Sequence, residues 1–81
     1  MNQERMQSMG KLAELEELAG QLKLKIEGLR DAIRMHLPQF EPVEDINLEA
    51  AVAQAIEARA AQIDYKEALE MIKAIKKALG R

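Results

Sequence analysis

The fold of this chain is decided by one stretch, Leu37-Pro38-Gln39-Phe40-Glu41-Pro42-Val43, which contains the only two prolines among its 81 residues. Proline inside a helix removes a backbone donor and clashes with the preceding turn, which costs about 3 kcal/mol. A helix that runs into this stretch should therefore end near His36. On either side of the break, the apolar residues recur with the period of a helix.

The two periodic segments predict an all-α protein. We expect one helix over residues 4–36, a second helix over residues 46–79, and a proline-containing turn at 37–45 between them. Helices of nearly equal length joined by a short connection pair in antiparallel orientation. The chain, residues 1–81, is therefore predicted to be a single domain built as a long antiparallel two-helix hairpin with coiled-coil-like packing.

Composition and end signals agree with this prediction. Apolar residues make up 48% of the chain but aromatic residues only 2%, so the apolar content is mainly Ala, Leu, Ile and Met, which favour helix. Either Asn47 or Asp45 can cap the start of the second helix by accepting a hydrogen bond from a free backbone amide. Gly80 stands where a C-terminal cap belongs.

The first helix carries one regular apolar seam. Its members alternate at steps of three and four residues, which is the a and d pattern of a coiled coil. They are Leu12, Leu15, Ala19, Leu22, Ile26, Leu29 and Ile33, with Ser8 and His36 continuing the pattern at the ends.

The second helix carries two apolar faces. The seam is thin in its first half and bulky in its second, and consists of Ala51, Gln54, Ala58, Ala61, Tyr65, Ala68, Ile72, Ile75 and Leu79. The other stripe, on nearly the opposite side, consists of Leu48, Val52, Ile56, Ala60 and Ile63. One partner helix covers one such stripe and not both. Either the helix bends near Asp64 or a second subunit covers the other stripe, and we favour the subunit. The core between the helices is expected to include Leu22, Ile26, Leu29, Ile72 and Ile75.

The first helix also has a spare face around Leu24, which occupies a heptad position that normally faces water. Gly20 and Gly28 lie one turn away on each side, and each mid-helix glycine costs about 0.5–1 kcal/mol relative to alanine. Leu24 is either an isolated exposed leucine, which is common on surfaces, or part of a face that the glycines leave open to another helix.

A lone two-helix hairpin has no third layer, and small chains bury little of their surface. Two paired hairpins would give every apolar stripe a partner. We therefore predict a homodimer that forms a four-helix bundle. The candidate oligomer interface consists of Gly20, Leu24, Gly28, Val52, Ile56 and Ile63.

The sequence offers little for catalysis or for metal binding. His36 is the only histidine and cysteine is absent, so a catalytic triad or a multi-histidine zinc site is not possible within one chain. No glycine-rich phosphate loop and no calcium-loop spacing is found. We therefore expect a protein that is not an enzyme, with no catalytic residues, no metal and no cofactor.

Two charged regions are candidate docking sites. The acidic turn is either a solvated turn that favours the start of the second helix or a tip that docks on a protein, and it comprises Phe40, Glu41, Glu44 and Asp45. The basic end either complements the helix macrodipole or contacts phosphate, and it comprises Lys73, Lys76, Lys77 and Arg81. Nucleic-acid binding is not expected, because the net charge is −2 and no aromatic platform accompanies the lysines.

Folding as a hairpin separates charge along the molecule. Residues 1–15 and 66–81 together carry seven basic and four acidic side chains, a net of +3, whereas residues 30–52 carry two basic and five acidic side chains, a net of −3. This polarity could steer a partner or promote head-to-tail contact at low salt. No apolar run approaches the length of a membrane span, and we expect no membrane association and a cytoplasmic location.

The sequence therefore predicts a non-enzymatic interaction or assembly module that acts through helix–helix contacts. The excess of apolar surface over what one hairpin can bury motivates this reading. The alternative is a small regulator that docks on a nucleic-acid enzyme or on nucleic acid, through the acidic turn or the basic end. No motif in the sequence assigns the chain to a known family.

Overall fold

The computed structural model describes residues 2–80 and is all-helical, with 87% helix and no strand in that range. Helix α1 spans Asn2–His36, a short 3-10 helix spans Val43–Asp45, and helix α2 spans Leu48–Ala78. The prediction of an all-α protein with two long helices packed against each other is confirmed. Helix α1 begins two residues before the expected position, and α2 begins two residues later and ends one residue earlier than expected.

The ends of both helices follow the capping signals of the sequence. Helix α1 stops at His36, directly before the residue that precedes the first proline. The side chain of Asn47 accepts a hydrogen bond from the amide of Ala50 at 3.0 Å, so Asn47 and not Asp45 is the N-cap of α2. Gly80 adopts a positive φ of 78°, and its amide donates to the carbonyl of Lys77 at 3.2 Å.

The turn contains a short helix that the sequence pattern did not predict. The amide of Asp45 donates to the carbonyl of Pro42 at 2.9 Å, which closes the single turn of 3-10 helix. Ile46 then returns to extended backbone, with φ −68° and ψ 129°. Because Asp45 belongs to this separate turn, α2 cannot begin at residue 46, and its start moves to Leu48.

The two helices run antiparallel along their whole length. Leu12 near the start of α1 shares a cluster with Ile72 near the end of α2, and the Nζ atom of Lys25 lies 3.7 Å from a carboxylate oxygen of Glu57. Sequence numbers thus rise along one helix as they fall along the other. The result is a rod measuring 64 × 16 × 15 Å, with an open end where α1 begins and α2 ends and a turn end that holds the prolines.

Every predicted seam position of both helices is buried or half-buried, which confirms the heptad pattern. The degree of burial was predicted less well. Of the five residues expected in the core, Ile72 is buried, whereas the other four are only half-buried, namely Leu22, Ile26, Leu29 and Ile75. The buried cluster lies instead in the open half of the rod and contains Leu12, Leu15, Ala19, Ala68 and Ile72, with Tyr65, Ile75 and Leu79 packed against it.

The composition of α2 explains where the core lies. In the turn half of the rod, the α2 seam presents Ala51, Gln54, Ala58 and Ala61 to the large side chains of α1. Alanine is too short to cover a facing leucine or isoleucine, so those α1 residues keep part of their surface in water. In the open half, the α2 seam contains large side chains, namely Tyr65, Ile72, Ile75 and Leu79, which cover the facing residues of α1. The burial of a seam residue therefore depends on its own size and on the size of the residue that faces it.

Candidate interaction surfaces

The outer stripe of α2 is defined here as Leu48, Val52, Ile56, Ala60 and Ile63. All five residues are exposed, and 66% of the surface of Ile56 is accessible. Helix α2 is continuous from Leu48 to Ala78, and α1 covers only its seam. A bend near Asp64 therefore does not bring the outer stripe against α1. Helix α2 carries a second apolar face that this chain leaves uncovered.

The face around Leu24 on α1 is also uncovered. Leu24 is 71% exposed, and a Cβ atom placed on Gly20 or Gly28 would meet nothing within 4 Å. The contact between Lys25 and Glu57 puts Leu24 near the level of Ile56 along the rod. Since the two faces point away from the seam on different helices, they lie on opposite sides of the turn half. One partner face cannot cover both.

The turn presents apolar and acidic side chains side by side. Phe40 is 91% exposed and Val43 is 80% exposed, and the carboxylates of Glu41, Glu44 and Asp45 are exposed as well. The structure thus brings together the four residues that the sequence singled out as a docking turn. Val43 was not part of that prediction. It directly follows Pro42 and precedes Glu44 and Asp45, so the sequence already placed it in the turn.

The basic end lies on the last turns of α2. Lys73, Lys76 and Lys77 are exposed, and with Leu69 and Ile72 they line an open groove. Lys76 and Lys77 lie in the last turn of the helix, where cations interact favourably with the macrodipole. Arg81, the fourth predicted member of this group, lies outside the described residues.

A third apolar region, which the sequence pattern did not predict, lies along one edge of the seam. Leu18 and Met71 flank a groove between the helices, which Leu15, Leu22 and Ala68 also line. Both side chains are more than two-fifths exposed. Each lies three residues after a seam residue, so a wider seam was visible in the sequence. The exposed side chains of Leu18 and Met71 thus extend the apolar surface beyond the core at this groove.

The described part of the chain contains neither a cluster of metal ligands nor a membrane-spanning helix. Among residues 2–80, no group of three or more histidine, aspartate or glutamate side chains is placed to hold a metal ion. His36 is half-buried at the turn end of the seam. No helix within the same range is both long and apolar enough to span a bilayer.

Comparisons with known proteins give no further guide to the role of these surfaces. No family model, no curated protein and no solved structure matches the chain.

Proposed function

We propose that this protein is a non-enzymatic interaction module that assembles through helix–helix contacts, and that two hairpins form a four-helix bundle. The observation that carries the proposal is the exposed outer stripe of α2. Soluble monomers rarely expose large continuous apolar patches, and such patches commonly mark interaction sites. A row of isoleucine and valine at helical spacing suits the side of another helix.

The total surface supports the same proposal. A compact monomer of this mass, 9.1 kDa, is expected to expose about 4,900 Å². The hairpin exposes 6515 Å². The difference, about 1,600 Å², is roughly twice the 800 Å² that each partner buries in an interface of standard size. Association side by side would therefore bring the surface of each chain towards the value of an ordinary globular protein.

The small core points in the same direction. Its buried cluster has five residues, and two of them are alanines. Chains of this size rarely obtain more than about 3–5 kcal/mol from a single core. Burial of the outer stripe in a bundle would add to that stability, because each large aliphatic side chain contributes about 1.5–3 kcal/mol when fully buried.

Sedimentation equilibrium tests this proposal directly. We expect a mass of twice 9.1 kDa for the unmodified chain at micromolar concentrations. Ile56→Glu should shift the equilibrium to monomer, because association would remove a carboxylate from water at the centre of the apolar stripe. Met6→Glu is the matched control, since Met6 is 71% exposed at the open end and lies outside both candidate interfaces. An unmodified chain that stays monomeric at high micromolar concentration and unfolds cooperatively would refute the proposal.

A second candidate function is supported by the turn. Phe40 is 91% exposed in a turn with three exposed carboxylates, so its ring buries little surface within the hairpin itself. Such a tip suits a basic, apolar-lined cavity on a nucleic-acid enzyme, which would make the protein a small regulator. The test is quantitative capture from the native host with the unmodified chain and with Phe40→Ser. A nucleic-acid enzyme that binds the first and is lost with the second would favour this function.

A further inference from the structure

The outer stripe of α2 is nearly symmetrical about its central residue, Ile56. Val52 and Ala60 lie four residues to either side, Leu48 lies eight residues before, and Ile63 lies seven residues after. Steps of this size return to nearly the same side of a helix, because one turn takes 3.6 residues. A stripe arranged in this way can lie against its own copy when the two helices run in opposite directions about a two-fold axis at Ile56.

Antiparallel pairing about Ile56 sets large side chains against small ones. Val52 of one copy comes level with Ala60 of the other, so a valine can fill the space that the alanine leaves. A parallel, in-register pair would set Ala60 against Ala60 and leave a gap between the isoleucines. Interfaces between helices pack as densely as protein interiors, and the antiparallel arrangement meets this requirement better.

Charge favours the same orientation. With the axis at Ile56, residues 65–78 of one copy extend past Leu48, where α2 of the other copy begins, and so run towards the turn of that copy, residues 37–47. The turn carries three acidic residues and no basic one, a net of −3, and residues 65–78 carry four lysines and two glutamates, a net of +2. Parallel pairing would instead place each segment beside the same segment of the other copy. Like charges would then repel each other wherever they lie closer than the Debye length of about 8 Å.

Arg59 adds a more local argument. It is the only cation in the sequence between Leu48 and Tyr65, and no ion pair involves it among residues 2–80. Glu49 lies ten residues away in the same continuous helix, at about 15 Å along the axis. In the antiparallel pair, Glu49 of the second copy would lie only about 6 Å along the axis from Arg59, within reach of its side chain.

We propose that the partner of this hairpin is a second copy of the same chain, bound antiparallel through the outer stripe of α2 with both Ile56 residues at the two-fold axis. The inference rests on the proposed function, which requires only that hairpins associate through their spare apolar faces. It selects one face and one orientation. Because the outer stripe lies opposite the seam, the two α2 helices lie side by side at the centre of the four-helix assembly, each with its own α1 outside it, and Gly20, Leu24 and Gly28 lie on the far side of each hairpin.

Disulfide trapping tests the orientation cleanly, because the chain contains no cysteine of its own. Single-cysteine variants Ile56→Cys, Leu48→Cys and Leu24→Cys are oxidised separately, and Val52→Cys is mixed with Ala60→Cys. Helical content and sedimentation of each reduced variant establish that it still folds and associates. Antiparallel pairing places two Ile56 positions face to face but separates two Leu48 positions by about 24 Å along the axis, whereas a disulfide needs Cα atoms within about 7 Å.

We expect Ile56→Cys to form a self-linked dimer readily, Leu48→Cys to do so only slowly, and the Val52→Cys and Ala60→Cys mixture to form mainly the mixed dimer. If Leu48→Cys and Ile56→Cys link to themselves equally fast, the pair is parallel and the inference is wrong. If only Leu24→Cys links, the hairpins associate through α1, and the proposed function stands while this inference falls. If the unmodified chain is monomeric by sedimentation, both fall together.

Discussion

The side-chain oxygen of Gln54 is the least favourable group that the hairpin encloses. It lies in the seam of the turn half, it is inaccessible to solvent, and it has no hydrogen-bond partner among residues 2–80. An unpaired buried acceptor loses its hydration without compensation, which costs about 1–3 kcal/mol. A polar residue at one seam position can also fix the register of a coiled coil, and we expect Gln54 to act in this way.

We predict that Gln54→Leu raises the free energy of unfolding by about 1–2 kcal/mol, because it removes the unpaired acceptor and fills space beside small seam residues. Urea denaturation followed by circular dichroism at 222 nm gives the change. Gln54→Glu is the matched control and should destabilise the hairpin. Sedimentation of Gln54→Leu should be measured as well, since loss of the polar residue could loosen the choice of oligomer. An unchanged midpoint in urea would mean that the oxygen is hydrated in solution.

Burial also separates two leucines of the same helix. Leu15 is 5% exposed in the core cluster and Leu24 is 71% exposed. Leu15→Ala should therefore cost about 2–5 kcal/mol in stability, whereas Leu24→Ala should change it by less than about 0.5 kcal/mol. Leu22 was expected to be a core residue, but it is half-buried, so Leu22→Ala should fall between the two. Thermal and urea unfolding of the three variants checks the order, and a reversed order would mean that the helices use a different seam.

At the scale of elements, the stability of each helix depends on how the free backbone groups at its ends are capped. The amide of Ala50 is one of four donors at the start of α2 that have no partner inside the helix, and the side chain of Asn47 satisfies it. We predict that Asn47→Ala lowers stability by about 1 kcal/mol, while Asn47→Asp retains most of the capping energy. Urea denaturation measures both changes. Equal losses for alanine and aspartate would show that this hydrogen bond does not form in solution.

The C-terminal end of α2 distinguishes a structural role of its lysines from a binding role. Because the net charge is negative and no aromatic side chain accompanies the groove, we expect Lys76 and Lys77 to act on the helix dipole. The double variant Lys76→Gln and Lys77→Gln should then lose only about 0.3–1 kcal/mol of stability. Glu67→Gln and Glu70→Gln together serve as a control of opposite charge change.

Fluorescence anisotropy with labelled single- and double-stranded DNA and RNA at several salt concentrations measures the binding role. We expect no submicromolar binding at physiological salt. Submicromolar binding that the double lysine variant abolishes, with a salt slope reduced by roughly one unit per lost phosphate contact, would promote the regulator hypothesis above the assembly hypothesis.

At the scale of the whole molecule, a rod of 64 × 16 × 15 Å has too much surface for its core, and stability should be linked to association. An obligate oligomer gains stability with concentration, because only the folded state binds its partner. For a dimer of 81-residue chains, the midpoint of thermal unfolding should rise by about 4 °C for each tenfold increase in protein concentration. Calorimetry over a hundredfold range measures this slope. The midpoint of Ile56→Glu should not vary with concentration, and neither should that of the unmodified chain if it folds alone.

The sequence by itself determined the elements and their pairing. Two prolines stop α1 after His36 and the heptad steps assign the facing residues, because proline sterics and helical periodicity are local properties. The sequence offered both Asn47 and Asp45 as the cap of α2 and did not decide between them. It did not determine the short 3-10 helix at Val43–Asp45 or where the core would lie. Only the tertiary structure decided that Leu12 and Leu15 are buried while Leu22 and Ile26 are half-buried, because burial depends on the bulk of the facing residue as well as on the residue itself. The exposure of Ile56 and Leu24 on opposite sides was likewise decided by packing, since a helix with two apolar faces can give only one of them to its neighbour.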